Sequence, residues 1–272
     1  VGRIVQDRLE ILRSEHGQLS QISGFAEATD GTVWIASVGN GLGRYRNGVL
    51  QVLRTSERLP SDYLWSLHVG RDGTLWIGTY DRGLVAQGDG HFSQFDTTRG
   101  IPGNMVAQLI EDDSGALWLG TNGGIARLGP AELGRLAAGS NERISAQVFD
   151  VSEGLTTRAL SGGSQAGACR TRDGMLWFAT DRGLARIDPR ISTPAAPLPP
   201  VIIETIRIDG IEVHVAGPVK HRTLLVAPGS RRLEIDYTGL SLTAPHRVLF
   251  RYKLEGAADN WTEAETRRTA YF

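Results

Sequence analysis

Through residue 191 the apolar positions fall in short runs bounded by Gly, Asp, Asn and Pro, with no long amphipathic stretch among them. Runs of this kind predict short strands joined by tight turns, an all-β chain. One run returns along the sequence. It reads Asp30-Gly31-Thr32-Val33-Trp34-Ile35-Ala36-Ser37, then Asp72-Gly73-Thr74-Leu75-Trp76-Ile77-Gly78-Thr79. Two further copies are Ser114-Gly115-Ala116-Leu117-Trp118-Leu119-Gly120-Thr121 and Asp173-Gly174-Met175-Leu176-Trp177-Phe178-Ala179-Thr180. Their tryptophans are 42, 42 and 59 residues apart. A period near 42 is the length of a four-stranded propeller blade.

The second copy predicts a whole blade. An inner strand covers Tyr63 to Val69, and Arg71-Asp72-Gly73 turns the chain with glycine supplying positive φ. A second strand follows over Thr74 to Thr79, a third over Gly83 to Gln87 and, after Gly88-Asp89-Gly90, an outer strand over His91 to Phe95. In the third blade the extra residues fall between a third strand ending near Leu128 and an outer strand from Ile144 to Asp150. Within them Ala131 to Ala138, following Pro130, predicts a short helix. Alignment of Glu10-Ile11-Leu12-Arg13 with Gln51-Val52-Leu53-Arg54 makes Gly2 to Leu12 the third and outer strands of a blade that begins before Val1. The expectation is a piece of a larger propeller; alternatively Leu9 to Leu12 completes the fourth blade and closes a ring.

Composition narrows the chemistry. A formal charge of -1 with interspersed signs leaves no basic stripe, so nucleic acid is not an expected partner. The single cysteine, Cys169, excludes an internal disulfide framework and a multi-cysteine metal site, and is expected to be a small buried residue. The six histidines share no repeat position and no metal-ligand spacing, so neither metal nor cofactor is expected. The tryptophans at one position of every copy, Trp34, Trp76, Trp118 and Trp177, suit packing between adjacent blades better than ligand stacking. The Asp-Gly pairs are turn chemistry, since they lack the alternating oxygen ligands of a calcium loop.

At these residues the chain resembles the two-component regulator propeller repeat. That repeat has a Leu-Pro-x-Asp/Asn entry, here Leu59-Pro60-Ser61-Asp62 and Ile101-Pro102-Gly103-Asn104, and an Asp-x-Gly-x-Leu-Trp-Ile-Gly-Thr signature. Departures are Ser114 in place of Asp and the fourth entry, Leu155-Thr156-Thr157-Arg158. Beyond a Pro-rich linker, residues 192–200, the segments Leu233-Glu234-Ile235-Asp236-Tyr237, Phe250-Arg251-Tyr252 and Thr269-Ala270-Tyr271 resemble the triple-tyrosine domain, a β-sandwich that follows such propellers. The alternation in the first of them fits a half-buried strand on its own account. The expected organisation is propeller repeats over 1–191, the linker, and a sandwich over 201–272 that is C-terminally incomplete.

The resemblance implies the periplasmic sensor region of a bacterial membrane receptor of the histidine kinase, hybrid two-component or diguanylate cyclase type. It implies a small-molecule ligand, with carbohydrate among the classes, and a homodimer formed through the sandwich. Contact with the membrane would come only through flanking segments. No catalytic motif of such output domains lies in this chain, so it is not expected to be an enzyme. Strands of alternating direction place the loops that enter each inner strand, and those that follow each second strand, on one face. The candidate ligand residues there are Asn40, Asp62, Tyr63, Tyr80, Asp81, Arg82, Asn104, Asn122, Arg158, Asp181 and Arg182. Amide, carboxylate and guanidinium groups between tyrosines suit hydroxyl-rich or anionic small molecules, and each also reads as ordinary loop polarity. Two other functions stand beside this one: a protein-interaction scaffold, and a lyase using His68 as its base.

Overall fold

The Asp-Gly turns fold as the repeat requires. Gly31, Gly73, Gly115 and Gly174 have φ of 79°, 84°, 81° and 85°, a region where a side chain would be strained. Ahead of the first two, Asp30 Oδ1 accepts from the Thr32 amide at 2.9 Å and Asp72 Oδ1 from the Thr74 amide at 3.0 Å. In the third copy, where Ser114 stands, the acceptor has moved two residues upstream. Asp112 Oδ1 takes the amides of Ser114 and Ala116 at 2.8 and 3.1 Å, and Asp112 Oδ2 takes the Trp118 indole N–H at 2.8 Å. The fourth entry is mended in a similar way: Thr157 Oγ1 accepts from the Ala159 amide at 3.1 Å, as Ser61 Oγ does from Tyr63 at 3.0 Å.

This computed structural model describes residues 1–12, 14, 18–88, 90–140, 142–162, 167–191, 199–213, 224, 226–241, 245, 248–256 and 260–272. Its contacts divide the chain into two units, Val1–Ser192 and Thr193–Phe272. In the first, β1 (Gly2–Val5) and β2 (Arg8–Ile11) form a two-stranded hairpin. Three four-stranded antiparallel sheets follow. They are β3 (Ile22–Glu27), β4 (Val33–Ser37), β5 (Gly41–Arg46) and β6 (Val49–Leu53); β7 (Leu64–Val69), β8 (Leu75–Thr79), β9 (Leu84–Gly88) and β10 (His91–Phe95); and β11 (Val106–Glu111), β12 (Leu117–Thr121), β13 (Gly124–Leu128) and β14 (Gln147–Phe149). The fourth sheet has three strands, β15 (Ala168–Arg170), β16 (Leu176–Thr180) and β17 (Gly183–Ile187). These are the propeller blades of an all-β fold. The ring-closing alternative is not realised among the described residues, because β2 pairs with β1 and not with β17.

Helix α1 (Pro130–Ala137) occupies the expected insertion and buries Leu136 against the second and third blades. The outer strand β14 is shorter than the expected Ile144 to Asp150. Ile144 is instead drawn into the core, its amide donating to the Arg99 carbonyl at 2.7 Å, so the chain joins the sheet only at Gln147.

Blade packing runs in one direction. Trp34 lies in one apolar cluster with Leu64, Leu75, Ile77 and Val85 of the second blade. Trp76 clusters with Leu117, Leu119 and Ala126 of the third, and Trp118 with Leu160, Leu176 and Phe178 of the fourth. They are 8 %, 2 % and 1 % exposed, whereas Trp177, in the last blade, stays partly exposed. Leu184 on β17 is 71 % exposed although its counterparts Leu42, Leu84 and Ile125 are fully buried. The same open flank corrects the expectation for Cys169. It is exposed, because it pairs across from Trp177 and shares that face.

Each of the first three inner strands shifts register by one residue, bulging at Ser23, Trp65 and Ala107. A bulge re-aims the side chain it carries. Next to the bulges, side chains strap each blade to the following one. Ser23 Oγ donates to the Leu64 carbonyl at 2.7 Å, Ser66 Oγ to Val106 at 3.3 Å, and Gln108 Nε2 to Ala179 at 2.9 Å and also to Ser161.

In the second unit, β18 (Val201–Ile208), β19 (Ile211–Val213), β20 (Leu233–Gly239) and a later β23 (Thr269–Tyr271) form one sheet, and β21 (Phe250–Tyr252) pairs with β22 (Thr262–Glu265) in another. Tyr237, Phe250, Ala264 and Ala270 from both sheets share one buried cluster, as in a sandwich. Tyr237, Tyr252 and Tyr271 converge on one arginine. Tyr237 donates to the Arg267 carbonyl at 3.2 Å, and the Arg267 guanidinium lies 6.0 and 5.9 Å from the rings of Tyr252 and Tyr271.

Candidate functional site

Most polar candidates on the loop face are occupied in shaping the loops. Asn40 Oδ1 accepts from the Ser20 amide and hydroxyl at 3.2 and 2.5 Å. Asp62 accepts from the Thr55 amide and hydroxyl at 2.9 and 3.0 Å, and Asn104 from the Thr97 amide at 2.9 Å, so the two hold the short 3₁₀ turns that precede their blades. Asn122 Oδ1 faces the Met105 amide at 3.4 Å. Arg158, at the position of Asp62 and Asn104, pairs with Asp150 at 3.2 Å. Asp181 and Arg182 are exposed on the fourth blade, at the turn between β16 and β17, where the Asp181 amide donates to Ala159 at 3.3 Å.

Tyr63, Tyr80, Asp81 and Arg82 gather in one place. The Tyr80 amide donates to the Tyr63 carbonyl at 3.0 Å, joining the loop before β7 to the loop after β8. Asp81 accepts from Ser61 Oγ at 2.7 Å and sits 3.6 Å from the Arg82 guanidinium. Both tyrosine rings remain open, at 52 % and 53 % exposed. Behind them stands a residue absent from the candidates drawn from the sequence. Trp65 lies with its ring centroid 5.2 Å from that of Tyr80, tilted by 40°. Its indole is seated against Gly162 in the loop that enters the fourth blade, where any Cβ would overlap the ring, and the same Cβ would meet Ala107 of the third blade. Trp65 therefore joins the second blade to the loop that enters the fourth. The signal for it was present: it is the single tryptophan of residues 1–191 outside the repeat position, and its counterparts are Ser23 and Ala107.

His68 lies at the other end of β7, paired across from Trp76 beside the Asp-Gly turn. Its Nε2 is 2.9 Å from Glu111 Oε2, and Glu111 Oε1 holds Arg71 Nε at 2.8 Å. This ion-paired bridge between the second and third blades keeps the imidazole away from the loop face, where the lyase reading needed a base. Among the described residues no group of three His, Cys, Asp or Glu side chains could hold a metal ion, and no helix is long and apolar enough to cross a membrane.

Residues 58–81 and 100–123 match the family described as two component regulator propeller. They span the second blade's entry and first hairpin and the equivalent part of the third blade. No curated protein matches the chain. Among solved structures, an extracellular domain assigned to a hybrid two component system of B. thetaiotaomicron superposes with a TM-score of 0.62 at 18 % identity, over 97 % of this chain and 36 % of that one. Another extracellular domain of that organism, assigned to a one component system, gives 0.45 at 13 % identity over 92 % and 46 %. Virginiamycin B lyase from Staphylococcus aureus gives 0.47 at 16 % identity over 70 % and 63 %. The chain thus spans about a third of the length of the first of these structures, and at such identities the likeness speaks for the fold.

Proposed function

We propose that this chain is the ligand-recognising part of the periplasmic sensor region of a bacterial transmembrane receptor, and that the ligand meets the loop face at Trp65, Tyr80 and Tyr63. The observation that carries the reading is the open aromatic cluster beside Asp81 and Arg82, on blades of the regulator propeller type. A saccharide suits it. The apolar face of a sugar ring stacks on an indole or phenol, and its hydroxyls find an acceptor in Asp81 and a donor in Arg82.

In this reading the second unit acts as a triple-tyrosine domain, with Tyr237, Tyr252 and Tyr271 around Arg267. It dimerises the receptor and passes the change to a kinase or cyclase output domain beyond the chain. A ligand can drive that change only by binding two receptor states unequally. Seating of Trp65 against Gly162 supports such a difference, since moving the indole disturbs the loop that enters the fourth blade.

The test is calorimetric titration of oligosaccharides and sugar acids into the wild-type protein and Trp65→Ala. Burial of an aromatic side chain is worth about 1.5–3 kcal/mol, so Trp65→Ala is expected to weaken binding by roughly 10- to 100-fold. Undiminished affinity in the variant, or no heat across the panel for the wild type, would remove the reading.

A further inference from the structure

At the end of the blades away from the loop face, the turns at Ser114 of the third blade and Asp173-Gly174 of the fourth line a cleft of about 220 Å³. Three carboxylates, Asp112, Asp113 and Asp173, and three guanidiniums, Arg127, Arg172 and Arg190, line it. Their formal charges cancel, but their hydrogen-bonding capacities do not. Asp112 is filled by the Ser114 and Ala116 amides and the Trp118 indole. Asp173 accepts from the Thr171 hydroxyl and from the Met175 amide at 3.4 Å, and Asp113 is held by Arg170.

The arginines are less well supplied. Arg127 reaches Asp112 only at 3.6 Å and Ser114 Oγ at 3.3 Å, lies 5.8 Å from the Trp118 ring centroid, and has a buried Nε with no acceptor. Arg172 is exposed on the rim and has no partner among the described residues. Arg190 offers Asp188 only its Nε and one terminal nitrogen, at 2.7 and 2.8 Å. A guanidinium carries five N–H donors and no acceptor, so the cleft holds donors in excess of acceptors.

We propose that this cleft binds a compact oxyanion, a carboxylate, sulfate or phosphate group, on Arg172 and Arg127. Planar guanidinium forks suit such groups because they can donate two parallel hydrogen bonds. The volume lies below the ~300 Å³ at which drug-sized pockets begin, which fits one inorganic ion or a single sugar-acid ring. Asp113 and Asp173 face the same space and oppose an anion, which limits the affinity and favours a ligand whose oxygens stay on the arginine side. The site is independent of the aromatic cluster on the loop face. The anion reaches it either free or as the acid group of a saccharide.

Thermal unfolding of the purified chain in sodium sulfate, sodium phosphate or sodium glucuronate, each against sodium chloride at matched ionic strength, tests it. The expected result is a saturable rise in midpoint with an oxyanion that chloride does not reproduce. Arg172→Ala should weaken that response at least tenfold while leaving the midpoint in chloride unchanged. Asp113→Asn should tighten it, and Trp65→Ala should not alter it. Glucuronate binding tenfold or more tighter than sulfate marks a saccharide acid as the ligand; sulfate or phosphate binding as well as glucuronate marks the free ion. An equal rise in chloride, no rise in any oxyanion, or an undiminished response in Arg172→Ala overturns the proposal.

Discussion

Trp118→Ala should lower the unfolding free energy by about 3–5 kcal/mol, the range for removing a buried large aromatic side chain. Trp118 is 1 % exposed, stacks on Phe149 at 5.4 Å and fills the seam against Leu160, Leu176 and Phe178. Removal would leave a cavity between two blades and deprive Asp112 of its indole donor. Trp177→Ala is the internal control. The residue occupies the same place in the repeat, yet among the described residues no following blade covers it, so its loss from this chain should cost less than half as much. Urea unfolding of both variants, followed by far-ultraviolet dichroism, gives the comparison. Equal losses would mean that the tryptophans work within their own blades and not across the seams.

Asp112→Ala should be nearly as damaging, at about 3 kcal/mol or more, because it strands the Ala116 amide and the Trp118 N–H, both on buried residues, and unties the turn at Ser114. Burial alone would raise the Asp112 carboxyl, but hydrogen bonds from Ser114 and Trp118, then from the backbone, outweigh it and hold the group below its ordinary value of 3.8. A group depressed in the folded state contributes stability that is complete above its unfolded value and disappears as pH falls through the folded one. Stability of the wild type should therefore decline below pH 3.8 partly through this residue. In Asp112→Asn that share of the decline should be missing, although the variant starts less stable at neutral pH. An unchanged acid profile in Asp112→Asn would show that other carboxylates govern the transition. Since Asp112 and Trp118 share a hydrogen bond, their losses should not add.

The blades were legible because their signals are local. Gly73 and its counterparts demand positive φ, the alternation on either side sets the strand faces, and the 42-residue interval repeats the unit. Local signals misled where a distant group competes. Ile144 reads as strand but is held by the Arg99 carbonyl and the core under α1. Cys169 reads as buried because inner strands usually are, yet its face is the flank that carries Trp177. Ser114 reads as a defect in the turn, since nothing in the spacing reveals that Asp112 has taken over the acceptor role.

The loop face was legible as a surface, and which of its side chains lie open was less so. Alternating strand direction identifies the loop surface, but polarity alone does not separate Asp62 and Asn104, whose oxygens hold Thr55 and Thr97, from Asp81 and Arg82 beside the open tyrosines. Trp65 escaped because its exposure to the loop face depends on a register shift between Leu64 and Ser66, and a bulge leaves no mark in a hydrophobic pattern.

The one-way overlap of the tryptophans gives the blades an order of failure. Like shingles, each is pinned by its successor: opening of the fourth blade uncovers Trp118, and only then can the third lift away from Trp76. Amide hydrogen exchange of this chain should accordingly be faster in β15 to β17 than in the blades whose tryptophans are covered.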